Sequence, residues 1–182
     1  MSGPVPEPGP EPDGPARSVV FFHAHPDDEA IFTGGTMALL AHAGWRVVLV
    51  LATAGEQGVT SALVGPDVPL AVRRMGETAR AAEELGARRV EFLGYHDSGL
   101  GRAEAGPGAF AAAPLGLSTV EVDCTVDVRP VLTVKRRAMA AHASQIPETS
   151  SAMRLPDADF AAVYGYEWYA RRGPPGPIDG LL

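Results

Sequence analysis

The sequence of 182 residues has a single cysteine, Cys124, and lacks the features that mark secreted, membrane-spanning or nucleic-acid-binding proteins. One thiol cannot form an intrachain disulfide, which fits a reducing compartment. No charged N-terminal region precedes an apolar stretch, and every apolar run is far shorter than a membrane span. The formal net charge of -7 argues against nucleic acid or an anionic membrane surface as a partner. These absences predict a cytoplasmic, globular protein.

Proline and glycine mark the two ends of the predicted domain. Residues 1–16 are rich in Pro, Gly and Glu and cannot bury an apolar core, so a disordered tail is predicted there. Residues 173–182 begin with a Gly-Pro-Pro-Gly-Pro run and are predicted to form a coil tail. The intervening residues 17–172 are predicted to form a single α/β domain.

The first half of this domain alternates between two sequence patterns. Short β-branched or aromatic runs predict strands at 18–22, 46–52 and 89–93, and apolar residues at helical spacing predict helices at 27–43 and 68–85. This alternation is typical of a parallel sheet with right-handed crossovers, so we expect a Rossmann-like three-layer α/β sandwich with a mostly parallel sheet. Farther along, the patterns predict a strand at 119–126, a helix at 130–145 and a short final segment at 164–169.

The segment His-Ala-His-Pro-Asp-Asp-Glu at 23–29 concentrates polar side chains where the first strand gives way to the first helix. Ligands of open α/β sheets bind at the carboxyl ends of the strands. An imidazole and a carboxylate three residues apart can bind one zinc ion, and a neighbouring carboxylate can accept a proton from zinc-bound water. The alternative is an ordinary helix start, because acidic residues stabilise a first turn. The residues alone leave both interpretations open.

Within this segment, Ala-His-Pro-Asp-Asp-Glu at 24–29 is similar to the first motif of the LmbE-like (PIG-L) N-deacetylases. Further segments that resemble family motifs follow in the expected order: Gly-Glu-Gln-Gly at 55–58, Arg-Met-Gly-Glu at 74–77, Gly-Tyr-His-Asp-Ser-Gly at 94–99 and Ala-His-Ala-Ser-Gln at 141–145. The resemblance covers about residues 18–100 and 127–170.

The resemblance implies a zinc-dependent hydrolase that removes an N-acetyl group from an amino sugar or a related small amide. It implies that His25 and Asp28 are zinc ligands and that Asp27 is the general base. It also implies that Arg74 and Asp97 contact the sugar portion of the substrate. A nucleotide-binding protein is disfavoured, because the turn after the first strand lacks a Gly-x-Gly-x-x-Gly loop.

The sequence departs from the family in one respect. The family has a second metal motif, His-Pro-Asp-His, and none of the five histidines of this sequence lies in such a motif. Family members are usually longer, and the shortfall of residues in this chain is expected between about 108 and 119. His25 and Asp28 are two ligands, whereas a catalytic zinc site has three. Either His142 or His96 supplies the third ligand, or a second chain does, or the protein is a degenerate family member that binds a sugar-like ligand without metal chemistry. His142 lies on an apolar face of the predicted helix, which favours a packed or locally bonded side chain over a zinc ligand.

The same shortfall bears on assembly. Loss of a central strand and helix would leave an uncovered edge of the sheet, and exposed edges favour association with another chain. A homo-oligomer is therefore predicted.

Overall fold

The structure, a computed structural model, describes residues 17–58, 68–97 and 122–181. The predicted disordered tail lies outside the described residues, as does the first part of the strand predicted at 119–126. In the described part of the chain, no helix has the length and apolar character that a membrane crossing needs.

A three-stranded parallel sheet forms the first half of the fold. Its strands are β1 (Ser18–His23), β2 (Arg46–Leu51) and β3 (Arg89–Phe92), with β2 in the centre. Phe21 lies opposite Leu49, which lies opposite Val90 on the other side, so apolar side chains run across the sheet. The α/β class and the parallel sheet are confirmed. Among the described residues β1 pairs only with β2, and the predicted homo-oligomer stays a prediction.

The helix predicted at 27–43 starts later and in an unexpected form. A π-helical turn, Glu29–Thr33, comes first, and α1 follows at Gly34–His42. The backbone carbonyl of Asp27 accepts hydrogen bonds from two amides, those of Ala30 and Ile31, at 3.1 Å each. These bonds join residues three and four positions apart, so they close the turn that leads into the π-helical segment.

The second helix, α2 (Leu70–Glu84), is shorter than the predicted range 68–85. Pro69 precedes it in an extended conformation with ψ 138°, which keeps Val68 out of the helix. At the other end Gly86 adopts a φ of 73°, a conformation that favours glycine and stops the helix.

The second half contains a separate two-stranded antiparallel sheet. Strand β4 (Cys124–Asp127) pairs with β5 (Tyr166–Tyr169), so β4 does not extend the parallel sheet. Between them lie a 3-10 turn and two helices: Arg129–Val131, α3 (Leu132–Ala141) and α4 (Asp157–Tyr164).

Two sequence predictions in this half were wrong in detail, and one helix was missed. The helix predicted at 130–145 ends at Ala141, because His142 leaves the helical conformation at ψ 48°. Helix α4 was not predicted. The predicted coil tail contains a 3-10 turn, Pro177–Leu181, and Ile178 and Leu181 within it pack on the core.

A buried ion pair within the second half is linked to the first half through its glutamate. The Nζ of Lys135 on α3 lies 2.7 Å from Oε1 of Glu167 on β5, and both side chains are about fully buried. The same carboxylate accepts hydrogen bonds from the amides of Gly35 and Thr36, at 2.8 and 2.9 Å. Because these amides lie in the first turn of α1, Glu167 holds that helix against β5. A side chain at Gly35 would overlap with Val128, which explains a glycine in this helix.

Candidate active site

Three loops meet at the carboxyl edge of the parallel sheet, one after each strand. The amide of Thr53, after β2, donates to the carbonyl oxygen of Ala24, after β1, at 3.1 Å. The amide of Tyr95, after β3, donates to Ala52 at 2.9 Å. Backbone hydrogen bonds therefore bring the segments at 24–29, 55–58 and 94–97 together, as the sheet topology predicts.

Asp27 lies at the centre of this edge in an uncommon backbone conformation. Its φ is 95°, the only positive value among described residues other than glycine. Its side chain is 18% exposed, and Oδ2 lies 3.3 Å from Nη2 of Arg74. Burial raises the pKa of Asp27 from 3.8 to about 6, and the charge of Arg74 opposes this rise. A carboxyl group that loses its proton near neutral pH is suited to proton transfer.

His25 and Asp28 face each other across a distance that suits a shared cation. Nδ1 of His25 lies 3.5 Å from Oδ2 of Asp28, and the imidazole is 40% exposed. Two ligand atoms bound to one tetrahedral zinc ion lie roughly 3.3–3.6 Å apart. The pair therefore fits two neighbouring ligand positions.

The described residues do not complete a ligand set. No group of three or more His, Cys, Asp or Glu side chains in the described part of the chain is arranged to hold a metal ion. All five histidines are described, and the other four have different neighbours: His23 contacts Thr33 Oγ1, His42 contacts the Ala38 carbonyl, His96 lies near Glu56, and His142 contacts Glu29. A third ligand supplied by the residues outside the described ranges would therefore be a residue other than histidine.

The two substitute ligands considered from the sequence differ in position. His142 is fully buried, with Nε2 2.5 Å from Oε1 of Glu29, which confirms the prediction of a packed or locally bonded side chain. This geometry argues against a ligand role for His142. His96 has a fully exposed side chain, 3.6 Å from Glu56. The imidazole of His23 contacts Thr33 Oγ1 at 2.8 Å, and burial lowers its pKa.

Asp97 approaches the second ring nitrogen of the His25 imidazole. Its Oδ1 lies 3.5 Å from Nε2 of His25, and its side chain is only 6% exposed. Oδ2 accepts a hydrogen bond from the amide of Gln57 at 3.2 Å, and the amide of Asp97 donates to Glu56 at 2.9 Å. That amide holds the pKa of Glu56 below its usual range. Glu56 therefore shapes the contact between two loops.

Arg74 lies beneath these loops. Its side chain is 4% exposed, Nη1 donates to the carbonyl of Gly55 at 2.8 Å, and Nη2 donates to the carbonyl of Pro26 at 2.5 Å. A side chain at Gly55 would overlap with the guanidinium, and the φ of 66° at this position also favours glycine. Arg74 thus joins the first two motif loops from below, and its contact with a sugar stays a prediction.

Two buried acidic residues, Glu29 and Glu77, received no role from the sequence, and neither did Ser144; each glutamate pairs with a residue of the segment 141–145. Glu29 binds His142, and Glu77 on α2 accepts hydrogen bonds from the amide and hydroxyl of Ser144, at 2.9 and 2.6 Å. All four are buried. Each belongs to a segment that resembles a family motif, which was the available signal. The partners in these two pairs are separated by 113 and by 67 positions in the sequence, and periodicity does not reveal contacts of such long range.

The sequence matches known proteins over most of its length. A family model described as PIG-L, GlcNAc-PI de-N-acetylase, matches residues 20–148. Two relatives, from Kineococcus radiotolerans and Streptomyces griseus, are named 1D-myo-inositol 2-acetamido-2-deoxy-alpha-D-glucopyranoside deacetylase. The first is 44% identical over 65% of this chain and 38% of its own length. The second is 37% identical over 84% of this chain and 52% of its own length. The chain thus spans about half the length of these relatives, or less.

A solved structure shares the fold. The N,N'-diacetylchitobiose deacetylase from Pyrococcus horikoshii superposes with a TM-score of 0.55 at 21% identity, covering 81% of this chain and 73% of that one. At this identity the likeness establishes the fold alone.

Proposed function

Because the chain belongs to the PIG-L family of GlcNAc-PI de-N-acetylases, we propose that it acts as a zinc-dependent N-deacetylase on a small amino sugar or a related amide. The relatives named as deacetylases of an acetamido sugar support this substrate class. The observation that carries the proposal is Asp27, a carboxyl group of raised pKa that contacts a buried arginine and precedes one of the two candidate zinc ligands in the sequence.

In this proposal His25 and Asp28 hold the metal. Bound zinc supplies a Lewis acid, which polarises an amide carbonyl and acidifies a water molecule. The 3.5 Å distance between His25 Nδ1 and Asp28 Oδ2 supports this assignment. The described residues offer no complete set of three ligands. In this proposal the third zinc ligand therefore comes from another part of the molecule or from a partner.

Asp27 carries the proton transfers. Its carboxylate accepts a proton from the attacking water and returns it to the leaving amine, so that amide and water become acetate and amine. Arg74 favours the ionised form that this base requires, because its positive charge lowers the Asp27 pKa. Asp97 and Arg74 also stay in the proposal as sugar-contacting residues, beside the protein contacts that they already make.

Acetate release from N-acetylglucosaminyl substrates by the zinc-loaded protein tests the function. We expect Asp27→Asn to lower the rate by about 10²–10⁴-fold, because the variant loses the proton acceptor. Asp157→Asn, at an exposed position on α4, is the matched control and should match the wild type. An Asp27→Asn variant as active as the wild type would contradict the proposed role.

A second function, binding of a sugar-like ligand without catalysis, is favoured by one observation. Among the described residues, no cluster is arranged to supply three metal ligands. Calorimetry with N-acetylglucosamine separates the two functions. Sugar binding by a protein that takes up no zinc and releases no acetate would support the binding function, whereas zinc-dependent acetate release would exclude it.

A further inference from the structure

The backbone of Asp27 requires an external restraint. A positive φ of 95° is unfavourable for a residue with a Cβ and persists only where the surroundings enforce it. The restraint comes from the next turn, because the amide of Asp27 donates to Oε2 of Glu29 at 2.9 Å. The carboxylate of Glu29 therefore closes the loop that orients the candidate base.

Glu29 in turn depends on a distant residue. Its side chain is fully buried, and its second oxygen, Oε1, is 2.5 Å from Nε2 of His142. A buried carboxylate is costly unless it is paired and hydrogen-bonded. His142 supplies that partner from the end of α3, 113 positions away.

The position of His142 is itself well determined. Its amide donates to Met139, and its carbonyl accepts from the amides of Gln145 and Ile146 at 2.9 and 2.7 Å. The neighbouring turn is tied to α2 through Ser144 and Glu77. Within the described residues, Nδ1 of His142 is buried without a hydrogen-bond partner. This pattern fits the tautomer in which Nε2–H donates to Glu29 and Nδ1 carries only a lone pair.

We propose that His142 is a positioning residue that acts through Glu29 to hold the backbone of Asp27 in its strained conformation. Its effect on catalysis rests on the proposed deacetylase function. Its effect on the loop does not, because the chain of contacts from His142 to Asp27 is formed by the protein alone. The coupling joins the end of α3 to the candidate active site.

Substitutions at His142 separate the donated hydrogen bond from simple packing. Glutamine can place an amide N–H near the position of Nε2, whereas asparagine is one methylene too short and leucine has no donor. We expect His142→Asn and His142→Leu to lower kcat by about 10²-fold with KM changed less than about threefold, because a small displacement of a catalytic group has an effect of this size. His142→Gln should recover most of the lost rate.

Amide hydrogen exchange provides a readout that needs no activity. Peptides that cover 24–30 should exchange about tenfold faster in His142→Asn and His142→Leu than in the wild type and His142→Gln, while β2 stays unchanged. His42→Leu, at an exposed position at the end of α1, is the matched control and should leave both regions unchanged.

The outcomes distinguish this proposal from the proposed function. A wild-type protein without deacetylase activity contradicts the proposed function. The positioning role of His142 is then tested by the hydrogen-exchange comparison alone. Equal exchange in the Gln and Asn variants would overturn the proposal, and so would wild-type exchange in His142→Leu. If His142→Leu does not fold, the comparison of Gln with Asn decides, because these variants differ by a single methylene.

Discussion

Two buried acid–base pairs connect α3 to the rest of the fold, and they support different features. Lys135 and Glu167 meet in the middle of α3, and Glu167 holds the first turn of α1 through the amides of Gly35 and Thr36. Glu29 and His142 meet at the end of α3, beside the loop of the candidate active site. Each pair is almost inaccessible to solvent.

The difference lies in what the second contact of each glutamate restrains. Glu167 binds amides in a regular helix turn, a low-energy conformation. Glu29 binds the amide of Asp27, whose φ of 95° is strained. Strain of this kind collects at functional sites, where it orients a side chain. The first pair is therefore expected to affect stability alone, and the second to affect stability and activity.

The largest expected effect on stability comes from Lys135. Removing one partner of a buried ion pair leaves an unpaired charge, so Lys135→Met should lower the free energy of unfolding by about 3–5 kcal/mol. Denaturant unfolding measures this loss. The control is Arg137→Met, which breaks an exposed pair with Glu84 and should cost about 0–1 kcal/mol. A loss below about 1 kcal/mol in Lys135→Met would remove the contrast between the two pairs.

Asp27→Asn should stabilise the metal-free protein at alkaline pH. The pKa of Asp27 is about 6 in the folded chain against 3.8 as its ordinary value, so the folded state disfavours the ionised form. The stabilising contribution of Asp27 is present below pH 3.8 and is lost as the pH rises through about 6. The neutral Asn variant should therefore gain up to about 3 kcal/mol over the wild type near pH 8.

The difference between Asp27→Asn and the wild type should vanish at acidic pH. Asparagine tolerates a positive φ as well as aspartate does, so the backbone is expected to persist in the variant. Unfolding measured with chelator across this pH range checks the prediction. A variant that is less stable than the wild type near pH 8 would show that ionised Asp27 is not disfavoured in the folded state.

The smallest expected effect lies at the more exposed acid–imidazole contact, between Asp97 and His25. A carboxylate on the second ring nitrogen commonly orients a zinc-bound histidine, so Asp97→Asn should weaken zinc binding by about 10–100-fold. Asparagine keeps an oxygen that can accept from the amide of Gln57, so the loop should persist. Competition with a chelator measures the affinity, with Asp157→Asn as control. Unchanged affinity would confine Asp97 to loop structure or substrate contact.

The sequence predicted the features that depend on local patterns. Alternating apolar runs located β1, β2 and β3 and their parallel order, and a run of polar residues after β1 indicated the candidate site. Helix α4 was not predicted because Pro156 and two aspartates precede only a short apolar stretch, Phe160 to Val163. The pairing of β4 with β5 in a separate sheet was not predicted because the two strands are far apart in the chain.

The internal contacts of the site could not be predicted from patterns. An acidic residue at position 29 is what a first helical turn favours, and nothing local indicates that its side chain turns inward to His142. The same holds for Arg74. Its sequence position suggests an exposed group on α2, whereas its buried guanidinium donates hydrogen bonds to the carbonyls of Pro26 and Gly55. Burial of such groups is decided by tertiary packing.

The amount of zinc bound per chain tests the central assignment most directly. The purified wild-type protein and His25→Ala would be measured side by side by metal analysis after equilibration with zinc. The account predicts near-stoichiometric zinc in the wild type and its loss in the variant, because His25 and Asp28 hold the ion beside Asp27. No zinc above the level of the variant would contradict the assignment of this edge of the sheet as a zinc site.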